Sequence, residues 1–100
     1  MIEFIRDQIP EEELLVQLAE EASELVQAAL KFHRVLDGRN PTPVRLSEAW
    51  ANLQEEISDV FLCLTVLEIN PVDQEYLVSM QKKLDRWVGR LREKEDGAYG

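Results

Sequence analysis

One cysteine, one histidine and few basic residues set the first limits on this 100-residue chain. The lone thiol, Cys63, excludes an intramolecular disulfide, so the cysteine usage implies no oxidising compartment. No Ser, His and Asp set is spaced for nucleophilic catalysis. Lys and Arg number 11 against 20 Asp and Glu, and the resulting charge of −9 argues against a general binder of nucleic acid polymers or anionic membranes. Four glycines and four prolines leave long stretches free of helix breakers. There is no glycine-rich phosphate loop, no repeat of solenoid length and no low-complexity tract. No apolar run approaches the roughly 18 residues of a membrane span, and the first residues lack the layout of a signal peptide, so a cytoplasmic protein without membrane contact is expected.

The residues that are present favour helix. A chain of this length can form one modest core and gains from sharing surface with a partner subunit. Pro10 followed by Glu11, Glu12 and Glu13 reads as a helix start, since proline suits the first turn and carboxylates suit the positive end of the dipole. Leu14, Leu18, Ala22, Leu25, Ala29, Phe32 and Leu36 then recur at three- and four-residue steps, predicting a helix over about 10–36. Asp37 and Gly38, with Asn40, Pro41 and Pro43 beyond them, read as a loop. With Ser47 as N-cap, a second helix over about 47–69 carries Trp50, Leu53, Ile57, Val60, Phe61, Leu64 and Leu67. Asn70 and Pro71 open a third, over about 71–93, with Tyr76, Met80, Leu84, Trp87, Val88 and Leu91; residues 94–100 read as a flexible tail. The segment before Pro10 reads as a short helix or an extended arm. A single all-α domain is expected, an antiparallel helical bundle. Because Leu62 and Val66 lie behind the second helix's main stripe, oligomerisation should complete it, as a homodimer or homotetramer.

Two short acidic patterns carry the chemistry: Glu21-Ala-Ser-Glu24 and Glu56-Ile-Ser-Asp59. Residues three apart on a helix share a face, so each segment offers two carboxylates in one direction, and antiparallel packing would converge all four. An acidic pair on one helix is ordinarily a solvated face. Two pairs on separate helices, each on the flank of an apolar stripe, also fit a metal site, because clustered carboxylates need compensating charge. All-oxygen ligation points to Mg²⁺, with Mn²⁺ as a substitute, over Zn²⁺.

The remaining candidates have plainer readings. His33 suits a dipole-compensating surface place, and Cys63 a small core or rim residue. Trp50 and Trp87 read as core, or as the edge of a base pocket. Residues 76–100 hold six basic and four acidic side chains against five and 16 in residues 1–75. That basic cluster, including Lys82, Lys83, Arg86, Arg90 and Arg92, is either a solvated face or a polyphosphate contact.

The segments 18–31 (LAEEASELVQAALK) and 53–64 (LQEEISDVFLCL), with a basic third helix, resemble the signature helices of the MazG-type all-α nucleoside triphosphate pyrophosphohydrolases. The likeness covers about residues 10–92. It implies the all-α NTP pyrophosphatase bundle and Mg-dependent hydrolysis of a nucleoside triphosphate to monophosphate and pyrophosphate. It further implies Glu21, Glu24, Glu56 and Asp59 as metal ligands; general-base chemistry through a bound water would then fall to one of these carboxylates, Glu24 or Glu56. Lys83 and Arg90 match the family's K-x6-R pattern and, with Lys31, would hold phosphates. The alternatives are a non-catalytic acidic interaction module and a pyrophosphatase acting on another nucleotide, such as phosphoribosyl-ATP.

Overall fold

The computed structural model describes residues 1–38 and 44–99, and every regular element among them is a helix: α1 (Ile2–Gln8), α2 (Glu11–Asp37), α3 (Leu46–Val66) and α4 (Gln74–Tyr99). The expected all-α class holds. Residues 39–43 of the expected loop and the terminal residue 100 lie outside the described residues. No helix among the described residues is long and apolar enough to cross a membrane.

Pro10 N-caps α2 with extended dihedrals (φ −62°, ψ 152°), and Glu11, Glu12 and Glu13 fill its first turn. The unpaired N–H groups there favour carboxylates. Gly38 ends the helix at φ +71°, its N–H donating to the Arg34 carbonyl at 3.1 Å; glycine takes that left-handed conformation without a Cβ clash. Ser47 does not cap α3: Arg45 holds that place without a side-chain bond, and Ser47 falls inside the first turn. Asn70 organises a turn ahead of α4, its Oδ1 accepting the Val72 N–H at 3.2 Å and its carbonyl the Asp73 N–H at 3.0 Å, which delays the helix to Gln74. At its other end α4 continues to Tyr99, past the expected stop near Glu93, because no proline interrupts it.

The chain divides into two compact units, residues 1–69 and 70–100. In the first, α2 and α3 pack along their length as an antiparallel pair. Leu14 borders Val66, Glu21 borders Asp59 and Phe32 meets Trp50, so the α3 partner descends as α2 is climbed. The Phe32 and Trp50 rings, 5.5 Å apart and tilted by 46°, tie the loop end of the pair together. The second unit holds α4 alone, and a lone helix has no second element in its own unit against which to bury the stripe through Met80, Leu84, Trp87 and Leu91.

The packing seam differs from the stripe expected from the apolar residues. On α2 the buried or half-buried positions include Leu14, Leu18, Glu21, Leu25, Ala28, Phe32 and Val35 at heptad spacing, joined by Lys31 and Arg34 near the C-terminal end, while Ala22, Ala29 and Leu36 are exposed. On α3 the seam includes Ala49, Asn52, Leu53, Glu56, Asp59, Cys63 and Val66; Trp50 touches it at the edge through Phe32 and is otherwise exposed, as is Phe61. Carboxylates therefore occupy seam positions, where the sequence pattern placed them on the flanks. Val66, expected to await a partner chain, is 3% exposed within the first unit because the helix before Pro10, α1, packs at this end of α3.

Candidate metal centre

Glu21 and Glu24 leave α2 one turn apart, and Glu56 and Asp59 leave α3 in the same way. The antiparallel pairing brings the two turns level. A carboxylate oxygen from each of the four residues lies within 4.8 Å of the others. Glu21, Glu56 and Asp59 are half-buried, and Glu24 is exposed.

Local hydrogen bonds organise the surroundings. Gln17, one turn before Glu21, donates from Nε2 to Glu21 Oε1 at 2.8 Å. The motif serines turn away: Ser23 Oγ donates to the Glu20 carbonyl and Ser58 Oγ to the Gln54 carbonyl, so both hydroxyls serve their own helices. Two atoms stay unsatisfied. Glu21 Oε2 and Glu56 Oε2 are buried and have no hydrogen-bond partner. Buried acceptors are costly without a partner, and anionic ones more so. Repulsion from Glu21, followed by desolvation and the charge of Glu56, raises the Glu24 carboxyl above its usual range. Burial, then the charges of Glu21 and Asp59, pushes the Cys63 thiol up. Four convergent all-oxygen carboxylates, two of them with an unpartnered oxygen, form a group that could hold a metal ion.

Different surfaces border the cluster on its two sides. Toward the loop end lies a polar cavity of about 500 Å³, where Lys31, Arg34 and Asn52 stand with Glu24 and Glu56. Toward α1 lies a smaller cavity of about 280 Å³, where Ile5, Ile9, Leu62 and Cys63 stand with Glu21 and Asp59. Sequence reasoning named Lys31 and passed over Arg34, although the three-residue spacing puts both on one face of α2. It also missed Gln17, whose spacing of four from Glu21 was the available signal. Lys83 and Arg90 lie on α4, in the second unit, where Lys83 shares a groove of that helix with Leu84 and Trp87.

No known family model matches the chain, and comparisons with curated proteins and with solved structures find no similar protein.

Proposed function

We propose that this protein is a cytoplasmic, Mg-dependent nucleoside triphosphate pyrophosphohydrolase of the MazG type, releasing nucleoside monophosphate and pyrophosphate. One observation carries the reading: the cluster of Glu21, Glu24, Glu56 and Asp59 is bordered on one side by a cavity with Lys31 and Arg34 and on the other by a mostly apolar one. A substrate with a polyanionic end and an organic end matches that asymmetry.

The acidic cluster alone would repel a triphosphate. Glu21, Glu24, Glu56 and Asp59 would hold a divalent cation, which would supply positive charge opposite the phosphate oxygens. Lys31 and Arg34 donate hydrogen bonds to the outer phosphates, the arginine as a two-pronged fork. Gln17 holds Glu21 in place through its amide. Glu24 is the exposed member of the cluster, which leaves it open to the attacking water as general base. The mostly apolar cavity would receive the nucleoside end. Lys83 and Arg90 are assigned phosphate contacts on the family resemblance alone. The exposed Met80, Leu84, Trp87 and Leu91 of α4 support assembly into a homodimer or homotetramer, which light scattering would read directly.

The test is pyrophosphate release from canonical and modified ribo- and deoxyribonucleoside triphosphates and phosphoribosyl-ATP with Mg²⁺, beside Glu56→Gln, Asp59→Asn and a chelator. Release that vanishes in both variants and with the chelator, while helical content persists, supports the reading. Near-normal turnover in both variants would sink the site assignment. Silence across the panel, with no stabilisation by divalent cations, would favour the non-catalytic interaction module.

A further inference from the structure

The end of α3 carries a left-handed residue that is not glycine, Glu68 at φ +62°. It closes a Schellman-type turn, with the Ile69 N–H donating to the Leu64 carbonyl at 2.8 Å and the Glu68 N–H to the Thr65 carbonyl at 3.0 Å. Glycine ordinarily fills this place, since a Cβ disfavours the conformation. The side chain that stands there instead reaches α1: Arg6 Nη1 lies 2.8 Å from Glu68 Oε1. The same guanidinium donates from Nε to the Val66 carbonyl at 2.8 Å, one of the acceptors a helix end leaves without an intrahelical partner. Arg6 thus reads both the backbone and the side chain of the α3 terminus, a geometry that a lysine ammonium cannot reproduce.

The consequence lies one residue away. Ile5, adjacent to Arg6, and Ile9, at the end of α1, form the α1 side of the cavity that also holds Glu21, Asp59 and Cys63. A helix of only seven residues with none of them buried is marginal by itself, and the Arg6 contacts tie it to the end of α3. We propose that Arg6 is a positioning residue: latched to Glu68 and the Val66 carbonyl, it sets α1 as the wall of this cavity and thereby places the organic end of the substrate over Glu21 and Asp59. The proposal rests on the pyrophosphohydrolase reading.

Three variants test it: Arg6→Ala, Arg6→Lys and Glu68→Gly. The last is the most telling, because glycine suits the turn while the ion pair is deleted. Arg6→Ala is expected to raise KM for the triphosphate about tenfold with kcat nearly unchanged, as loss of placement in binding requires. Arg6→Lys should recover only part of this. Glu68→Gly should raise KM in the same direction without lowering the melting temperature. Mn²⁺ affinity, read by electron paramagnetic resonance, should match the wild type in all three. A readout independent of turnover is the rate at which Cys63 reacts with a disulfide reagent, which should rise in Arg6→Ala and Glu68→Gly as the wall loosens. A purely structural Arg6 would lower the melting temperature yet leave KM and thiol rate at wild-type values well below the melt, and that result overturns the proposal. Failure of wild type to release pyrophosphate would remove the reaction on which it rests, a failure told apart because the thiol rates would still respond.

Discussion

Glu21 and Glu56 meet across the α2–α3 seam, each with one carboxylate oxygen buried and without a hydrogen-bond partner. A seam usually closes over apolar side chains, so acceptors placed there create a local deficit that a cation would remove.

Stability should therefore respond to divalent metal. A cation that binds only the folded chain at about 100 times its Kd adds about 2.7 kcal/mol, which for a chain of this size is a rise on the order of 10 °C in the melting midpoint. Calorimetry with Mg²⁺, Mn²⁺ and chelator measures it. Glu56→Gln should abolish most of the increment, and an equal rise in wild type and variant would place the ion elsewhere.

The raised Glu24 carboxyl sets the sign of a pH effect. Above its ordinary value of 4.5 and up to its folded value, the folded chain holds more protons than the unfolded one, so stability falls as pH rises through that window and does not return above it. Metal-free wild type should lose melting temperature from acid toward neutral pH relative to Glu24→Gln. Saturating Mg²⁺ should flatten the wild-type fall, because the cation compensates the charges of Glu21 and Glu56 that cause it. Parallel metal-free curves for wild type and variant would contradict this account.

Lys31 and Arg34 should matter to the phosphates and not to the metal. Arg34→Ala is expected to raise KM for the triphosphate about tenfold, the loss of a charge-assisted hydrogen bond, and Lys31→Ala to do so to a similar degree. Isothermal titration with Mn²⁺ should give wild-type affinity in both. A variant that loses metal binding without a change in KM would reverse the assignment.

The acidic motifs and the four-carboxylate convergence were legible because helical spacing and antiparallel packing are both readable from residue order. The helix start at Pro10 was equally plain, since three carboxylates in a first turn act through local backbone charge. The apolar stripe of α2 was misplaced by the same method. Counting Ala22, Ala29 and Leu36 as core gives the most hydrophobic face, but the face that packs runs through Glu21 and Ala28, with Ala28 only 3% exposed. A wheel drawn on one helix weighs its own side chains and contains no term for the partner.

Residue order alone determined that this chain is helical, that its carboxylates fall in two turn-spaced pairs, and that one later helix is basic, because these depend on contacts within a few residues. The tertiary structure alone decided which face of α2 closes on α3, that Arg34 joins Lys31 beside the cluster, and that Arg6 reaches Glu68 and the Val66 carbonyl at the end of α3. Those outcomes join residues far apart in the chain or set by a partner's surface. Their energies come from burial and from pairing between elements, which no local pattern records.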